Sequence, residues 1–322
     1  MGAWKIVRAR SSTHRIDVSI MANFGTRLSV FRELAGFAKQ LLVRDAPAPP
    51  AMAELGDAPA CARAFRLPAG QRIYAIGDVH GRHDLLVELL ETIDHDDRSR
   101  GPAQTLLVFL GDYIDRGPAS RSVVDLLMGL VRGRPTICLM GNHEEILLHA
   151  AAGQRRAVTL FRQIGGRDTM MSYSIAPEIY DQASIDDQVA LICNAIPPAH
   201  LDWMRALPSS HRSGDYVFVH AGLRPGVDLD QQAPADQRWI REEFLDSRED
   251  FGAMVIHGHS IQYEVDERCN RIGIDTGAFA TGRLTAIGLE GEARWYLRTG
   301  TAAEPAAKDM FAAKRPAEPL HP

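Results

Sequence analysis

Three short segments of this sequence place metal-competent side chains directly after a glycine. They are Gly77–Gly81, Gly111–Gly117 and Gly141–Glu144. Each segment follows a run of apolar residues that predicts a buried strand, and glycine lets the backbone approach a ligand closely. Because ligands gather at the carboxyl ends of strands in α/β sheets, we expect the three loops to converge on one spot.

The converging loops offer oxygen and imidazole donors. The loop residues are Asp78, His80, Asp112, Asp115, Arg116, Asn142 and His143, and two later strand ends add His220 and the pair His257 and His259. This donor set suits manganese, iron or zinc rather than a cysteine-type structural zinc site. Two ions bridged by a carboxylate such as Asp112 would activate a shared water for in-line displacement at phosphorus. The guanidinium of Arg116 matches phosphate oxygens, so the pattern predicts phosphoester hydrolysis.

Each of these residues also has a simpler explanation when it is taken alone. Asp-Gly and Asn-Gly neighbourhoods form ordinary turns, and a single loop histidine is commonly just solvated. The prediction therefore depends on the joint occurrence of Asp, Asn or His at successive strand ends.

The elements that must position these loops alternate in the α/β manner from Gln71 onward. The expected strands are Arg72–Ile76, Thr105–Leu110, Pro135–Met140, Tyr216–Val219, Ala253–Ile256, Arg271–Ile274 and Leu284–Leu289. A helix capped by Asp84 is expected after the first strand, and one from about Ser120, with Val123, Val124, Leu127, Leu130 and Val131 inward, after the second. Residues 157–207 are expected to be mainly helical, with breaks at Gly165-Gly166 and Pro197-Pro198. The last strands predict a second, more antiparallel sheet.

Composition divides the chain into an N-terminal extension at 1–66, a catalytic domain at 67–299 and a disordered tail at 300–322. The extension contains an amphipathic helix at Asn23–Leu42 and an Ala/Pro-rich linker at 46–62. That helix either packs on the main domain or attaches to a membrane surface. Nothing before Met21 shows periodicity, so Met21 is a candidate start.

Bulk properties indicate an ordinary soluble protein. The chain has 322 residues and a formal net charge of -5, which does not favour nucleic-acid binding. Its 4 cysteines are widely spread and form no CxxC pair, as expected in a reducing cytoplasm. No stretch approaches the ~20 apolar residues of a membrane span, and the first residues do not form a secretion signal.

The three glycine-led segments resemble the GDxHG, GDxxDRG and GNHE motifs of the phosphoprotein phosphatase (PPP) family within the calcineurin-like metallophosphoesterases. The resemblance continues through Val219–Gly222, Trp239–Arg241, His257–Ser260 and Ile274–Ala278, and so covers residues 72–289. It is greatest to the bacterial and bacteriophage lambda type of serine/threonine protein phosphatase. The resemblance implies an α/β fold in which two mixed β-sheets pack as a sandwich flanked by helices.

The resemblance also implies a role for each site residue. Metal ligands would be Asp78 and His80 for one ion, Asp112 as the bridge, and Asn142, His220 and His259 for the other. His143 would be the general acid, oriented by Asp115, while Arg116, Arg241 and Asn142 would bind the phosphate. The expected cofactors are two divalent ions, with manganese preferred over iron or zinc. A metal-bridging hydroxide would attack phosphorus directly.

Several alternatives remain open at this stage. His257 is the other candidate for the ligand position given to His259. The substrate is expected to be a phosphorylated protein or a small phosphoester. A symmetrical dinucleoside tetraphosphate hydrolase is the alternative, although such relatives usually carry Ala at the position of Asp115 and GNHD in place of GNHE. A broad-specificity phosphatase and a non-catalytic phosphoprotein-binding regulator are the others. Gly165–Thr169 resembles a Gly-Gly segment of the bacterial phosphatases or is an ordinary turn.

Overall fold

A computed structural model describes residues 63–300 of the chain. The amphipathic helix, the Ala/Pro linker and nearly all of the tail expected from the sequence lie outside the described residues. In the described range, no helix is both long and apolar enough to cross a membrane. Cys138 and Cys193 are free thiols there.

The seven strands that the sequence predicts are all present in the predicted order, and three further strands, at Ser210–Ser213, Asp266–Glu267 and Ala293–Arg298, were not predicted. The strands are β1 (Gln71–Ile76), β2 (Gln104–Phe109), β3 (Thr136–Cys138), β4 (Ser210–Ser213), β5 (Tyr216–Val219), β6 (Met254–His257), β7 (Asp266–Glu267), β8 (Arg271–Gly273), β9 (Thr285–Glu290) and β10 (Ala293–Arg298). The longer helices are α1 (His83–Ser99), α2 (Ser120–Gly133), α3 (Asn142–Ala151), α4 (Arg155–Gln163), α5 (Gly166–Ser172), α6 (Pro177–Gln182), α7 (Ile185–Ala195) and α8 (Pro198–Arg205). Short helices follow at α9 (Pro234–Trp239), α10 (Glu242–Leu245) and α11 (Ala278–Thr281).

Two 5-stranded mixed sheets are formed, with the strand orders β10-β9-β1-β2-β3 and β4-β5-β6-β8-β7. Strands β1, β2 and β3 are parallel, as are β5, β6 and β8. The carboxyl ends of each parallel set therefore lie at one edge of its sheet, as the convergence of the loops requires.

The sheets face each other across a shared apolar core. Alternate residues of β1, such as Ile73 and Ala75, pack with Phe218 and Ile256 of the second sheet. Tyr74 points to the other face of the first sheet, where its hydroxyl donates to Asp96 of α1 at 2.7 Å. A second apolar cluster covers the outer face of the second sheet and includes Phe244 of α10. The α/β sandwich flanked by helices is confirmed.

Three local expectations are wrong. Asp84 does not cap α1: the helix begins at His83, and the Asp84 carboxylate in its first turn pairs with Arg82 instead. Val131 is 43% exposed because α2 turns its last apolar residues away from the sheet. The second sheet is not more antiparallel than the first, because the strand expected at Leu284–Leu289 is β9, which pairs with β1 in the first sheet.

The expected helical segment, which separates the strands of the first half of the sequence from β4, is confirmed. Helices α4–α8 form it, with breaks before α5 at Gly165-Gly166 and before α8 at Pro197-Pro198. We call these five helices the insert. Helix α5 packs on α2 and α4, so part of the insert lies beside the loops that carry the predicted site.

Candidate active site

The loops at the strand ends bring the predicted site residues together in the fold. Asp78 and His80 follow β1, Asp112 follows β2, Asn142 and His143 open α3 after β3, His220 follows β5, and His259 follows β6. All of these side chains are at most 6% exposed. A buried cluster of this polarity needs partners that compensate its desolvation.

Asp112, His80 and His143 form one group of converging donor atoms. These three residues offer ligand atoms within 4.8 Å of one another. The Asp112 Oδ2 atom lies 3.6 Å from His80 Nε2 and 3.7 Å from His143 Nε2. This group therefore includes the predicted general acid as well as predicted ligands.

A second group contains Asp112, His220 and His259, again with donor atoms within 4.8 Å. The Nε2 atom of His220 lies 3.4 Å from Asp112 Oδ1, 2.9 Å from Asn142 Oδ1 and 3.1 Å from His259 Nδ1. Asp112 thus presents Oδ2 to the first group and Oδ1 to the second. That arrangement fits the bridging position that the sequence predicts for it.

Backbone carbonyls fix the ring orientation of two predicted ligands. The Nδ1 atom of His80 is 2.8 Å from the carbonyl oxygen of Ile114, and that of His220 is 2.9 Å from the carbonyl oxygen of Leu110. Each Nδ1 must carry the proton, since a carbonyl only accepts, so each Nε2 presents a lone pair to the site. Burial lowers the pKa of His220 to about 3 and that of His80 well below its usual value, which keeps both rings neutral.

The lone pair of His220 Nε2 faces other acceptors, as it would around a cation, whereas that of His80 Nε2 faces the Arg116 guanidinium. Nε2 of His220 faces carboxylate and amide oxygens, and Nε2 of His259 has no hydrogen-bond partner within the described residues. Imidazole, carboxylate and amide donors together suit a borderline-hard divalent ion. The residues present therefore fit a metal centre.

Asp78 lies beside the two groups rather than within them. Its carboxylate accepts the backbone N–H of His259 at 3.0 and 3.2 Å. Burial, followed by the charges of Asp275 and Asp112, raises the pKa of Asp78 well above its usual value. A Cβ atom on Gly258 would overlap Asp78 Oδ1, so only glycine allows the backbone of this segment to close on the carboxylate.

Asp275 was not assigned a role by the sequence. It is 2% exposed, its Oδ1 accepts the Gly277 N–H at 2.9 Å, and its Oδ2 has no hydrogen-bond partner within the described residues. Burial raises the pKa of Asp275 above its usual value. A cluster of carboxylates that disfavours its own ionisation is stabilised by cations, which adds to the fit of a metal centre.

Glu144 organises the loop that follows β2, a role that sequence reasoning missed. Its Oε1 accepts the N–H groups of Tyr113 and Ile114 at 2.8 and 3.4 Å, and its Oε2 accepts those of Asp112 and Gly141 at 3.0 and 3.1 Å. The bond to Gly141 satisfies the backbone N–H that precedes α3, which is the half of a capping box that a glycine allows. One buried carboxylate therefore ties the start of α3 to Asp112.

His143 is joined to Asp115 as the sequence predicts. The His143 Nδ1 and Asp115 Oδ2 atoms are 2.6 Å apart, and both side chains are at most 2% exposed. Burial lowers the pKa of His143 to about 3 and raises the pKa of Asp115 well above its usual value. The short bond thus holds a proton between two groups that burial keeps from ionising.

Arg116 and Arg241 bring positive charge to the same site. Arg116 Nη1 lies 3.1 Å from His80 Nε2 and its Nη2 lies 3.2 Å from His143 Nε2. Burial lowers the pKa of Arg241, and the charge of Arg241 in turn helps to lower the pKa of His143, His220 and His259. Both guanidinium groups are therefore near enough to serve an anion bound at the donor groups.

The structure places His257 away from this cluster. The residue lies within β6, its ring packs on Phe244 at 5.1 Å, and its Nδ1 is 3.0 Å from the carbonyl oxygen of Gly258. In residues 63–300, neither metal-competent group contains His257. Position therefore favours His259 as the ligand.

Left-handed backbone conformations are concentrated in the site. The non-glycine residues of residues 63–300 with positive φ are His80, Asp112, Asp115, Arg116, Ser174 and His259, and all but Ser174 belong to the predicted site. Each such residue costs about 1–3 kcal/mol, so the surrounding contacts must impose the conformation.

A groove of about 540 Å³ lies beside Arg116. Its lining residues include Arg82, Arg116 and Phe279. The Arg116 guanidinium lies over the Phe279 ring at 4.8 Å from the centroid, and Arg82 is held by Asp84 and the carbonyl oxygen of Ala278. The groove therefore combines cationic and aromatic surface beside the site.

A layered α/β sandwich thus carries paired metal-competent groups at its strand ends. The family model for calcineurin-like phosphoesterases matches residues 71–285. The chain belongs to the calcineurin-like phosphoesterase family.

Two curated relatives of the chain carry the same name. The chain is 35% identical over 152 residues to the symmetrical bis(5'-nucleosyl)-tetraphosphatase of Dechloromonas aromatica, covering 47% of this chain and 44% of that protein. It is 34% identical over 153 residues to the enzyme of the same name from Methylococcus capsulatus, covering 48% and 44%. The chain thus spans less than half the length of these relatives.

One solved structure shares the fold. It is described as a putative diadenosine tetraphosphatase, and it matches with a TM-score of 0.50 and 21% identity over 74% of this chain and 100% of that chain. The family-level prediction is confirmed, whereas membership in the protein-phosphatase subfamily is not confirmed by these comparisons.

Proposed function

We propose that this chain hydrolyses symmetrical dinucleoside tetraphosphates with the help of two divalent ions. The observation that carries the proposal is the pair of donor groups sharing Asp112, set beside Arg116 and the groove that Arg116 lines with Arg82 and Phe279. The names of the curated relatives support the substrate class. The sequence favours a phosphorylated protein or small phosphoester as the substrate, with the tetraphosphate as the alternative; the proposal reverses that preference.

The two ions would be held by the residues predicted for them. Asp78 and His80 would bind one ion and Asn142, His220 and His259 the other, with Asp112 between them. We propose manganese, with iron or zinc also compatible with the donors. When bound, such ions activate water and neutralise charge on phosphoryl oxygens.

The side chains of the chain would orient the phosphate and supply a proton. Arg116 and Arg241 would bind phosphoryl oxygens, as forked guanidinium donors do well, and Asn142 would assist from the start of α3. His143 would give its Nε2 proton to the leaving oxygen as the bond from that oxygen to phosphorus breaks, while the proton shared with Asp115 would pass to Nδ1 and keep the ring neutral. Asp115 would hold the ring so that Nε2 faces that oxygen.

The groove beside Arg116 supports a substrate that extends beyond one phosphate. Arg82 and Arg116 could bind successive phosphates of a polyphosphate chain, and the Phe279 ring offers a surface for a base. A phosphate near Arg82 would compete with Asp84 for its guanidinium. A single small phosphoester would not use these residues.

A second candidate is a phosphomonoesterase that acts on phosphorylated serine or threonine. The observation favouring it is the 2.6 Å bond between His143 and Asp115. An alkoxide leaving group needs protonation, whereas a nucleoside diphosphate leaves as a stable anion. His143 and Asp115, which we call the acid pair, are therefore more necessary for hydrolysis of a phosphorylated protein than for hydrolysis of a tetraphosphate.

Comparison of kcat/KM for three substrates tests the proposal. Diadenosine tetraphosphate, a phosphoserine peptide and p-nitrophenyl phosphate would be assayed with Mn²⁺, and we expect the highest value for the first, with two molecules of ADP as products. Arg82→Ala should raise KM for diadenosine tetraphosphate roughly tenfold, the value of one lost charge-assisted contact, and leave p-nitrophenyl phosphate unchanged. Asp112→Asn is the inactive control.

Any other result of the three-substrate assay would support a different function for the chain. Faster turnover of the phosphopeptide would favour the second candidate. Comparable turnover of all three substrates would favour a broad-specificity phosphatase. If the metal-loaded chain hydrolysed none of them, the non-catalytic regulator would be the better interpretation.

A further inference from the structure

The insert contributes a buried hydroxyl group to the acid pair. Thr169 lies in α5, is fully buried and is 54 residues from Asp115 in sequence. Its hydroxyl donates to Asp115 Oδ1 at 2.6 Å and accepts the Asp115 backbone N–H at 2.8 Å. Thr169 therefore contacts both the side chain and the main chain of this aspartate.

These contacts leave the second carboxylate oxygen for His143. Oδ1 of Asp115 is occupied by Thr169, while Oδ2 lies 2.6 Å from His143 Nδ1. The hydroxyl of Ser120 lies 3.1 Å from both the Asp115 backbone nitrogen and the Thr169 hydroxyl. Rotation of the carboxylate would break the bond to Thr169, so the hydroxyl fixes the direction of Oδ2.

The insert also holds the backbone next to this aspartate. Asp115 and Arg116 have φ angles of 71° and 67°, a conformation that needs external support. The Arg116 N–H donates to the carbonyl oxygen of Gly165 at 3.2 Å, one turn before Thr169. A Cβ atom on Gly165 would come within 2.7 Å of the Arg116 nitrogen, so the close approach requires glycine.

We propose that Thr169 is a positioning residue for proton donation by His143. It acts through Asp115: the hydroxyl sets the carboxylate, the carboxylate sets the imidazole, and Nε2 then faces the leaving-group oxygen. The Gly165–Thr169 segment is thereby assigned to the acid pair. The inference rests on the proposed acid role of His143 and does not depend on the physiological substrate.

The proposal differs from a purely structural role in its substrate dependence. A residue that only anchors α5 would, when changed, slow all substrates alike. A residue that orients the acid matters most when the leaving group is a strong base, since p-nitrophenolate departs readily without a proton and phenolate does not.

The test compares Thr169→Val with Thr169→Ser on phenyl phosphate and p-nitrophenyl phosphate in the metal-loaded full chain. Val keeps the volume and removes the hydroxyl, whereas Ser keeps the hydroxyl. We expect Thr169→Val to lower kcat on phenyl phosphate by roughly ten- to a hundredfold, the cost of leaving a buried acceptor without its partner, with a smaller loss on p-nitrophenyl phosphate and unchanged KM. Thr169→Ser should restore most of the rate.

The same change in a His143→Ala background provides the decisive comparison. If Thr169 acts through His143, then Thr169→Val should add little to the loss already caused by His143→Ala. Arg167→Ala is the control for helix perturbation, since it removes an exposed ion pair with Asp181 from α5 without touching Asp115. Circular dichroism and metal analysis establish that each variant is folded and loaded; if Thr169→Val does not fold, Thr169→Ala takes its place.

Some results would refute the positioning role of Thr169, and another would refute the acid role of His143. Equal losses on both substrates, or a full additional loss in the His143→Ala background, would make Thr169 merely structural and refute the inference. A low rate for Thr169→Ser would refute it as well, because the hydroxyl would then not suffice. If His143→Ala itself affected both phosphates equally, the acid role would fail first, and the inference with it.

Discussion

Replacing Glu144 by Gln is the most direct perturbation of the loop that carries Asp112, the proposed bridge between the two ions. In the structure both carboxylate oxygens of Glu144 accept two backbone N–H groups each, from Tyr113 and Ile114 on one side and from Asp112 and Gly141 on the other. Gln has one acceptor oxygen, and its NH2 group would face two of these N–H donors. Two buried donors would lose their partners.

The expected magnitude follows from that count. An orphaned buried donor costs about 1–3 kcal/mol, so two of them should lower the free energy of unfolding by about 2–6 kcal/mol. Part of this cost would be avoided by moving the loop, and Asp112 would then leave its position between the two donor groups. Glu144→Gln should therefore lose metal as well as stability.

Guanidinium chloride unfolding and elemental analysis measure the two effects. Glu145→Gln is the matched control, since it makes the same change one residue later, where the carboxylate binds the side chains of Arg238 and Trp239. It should cost stability while metal content is retained. This reasoning would be refuted if Glu144→Gln had the same unfolding midpoint and the same metal content as the unchanged protein.

Three further predictions concern the metal centre and phosphate binding. His259→Asn should lose metal by elemental analysis, whereas His257→Asn should retain it; equal retention would remove His259 from the ligands. Because burial and neighbouring carboxylates raise the pKa of Asp78, its contribution to the metal-free fold is present at low pH and is lost as pH rises through that pKa. Metal binding displaces this proton, so the gain in Tm on adding Mn²⁺ should grow with pH, and a constant gain would contradict it. Arg241→Lys should raise KM for p-nitrophenyl phosphate roughly tenfold because an ammonium lacks the fork of a guanidinium; an unchanged KM would exclude the contact.

Sequence periodicity located the catalytic loops because their position depends on local pattern. The strands before Asp78, Asp112 and Asn142 are apolar runs that end at glycine, and parallel strands bring such ends to one edge. The His143–Asp115 contact was expected from the resemblance, and the structure joins the two residues at 2.6 Å.

Other features depend on contacts between residues distant in sequence and could not be predicted. Thr169 meets Asp115 across 54 residues, and Glu144 meets Tyr113 across 31. The strand β4 has the polar sequence Ser-His-Arg-Ser and lies at a sheet edge, where an apolar pattern is not required. The sheet that receives β9 depends on its long-range pairing with β1, which alternation alone does not specify.

The left-handed residues of the site link two requirements that are separate in origin. Asp and His, with Asn, are the residues other than glycine that tolerate this backbone conformation best, and they are also common donors to divalent metals. His80, Asp112 and His259 satisfy both requirements at once. Substitution at these positions is therefore restricted in two ways. Glycine would remove the strain of the positive φ angle but would also remove the metal-donor side chain, whereas glutamate would keep a donor atom but would strain the backbone. A variant that became more heat-resistant through glycine at one of them would be expected to have lost its metal.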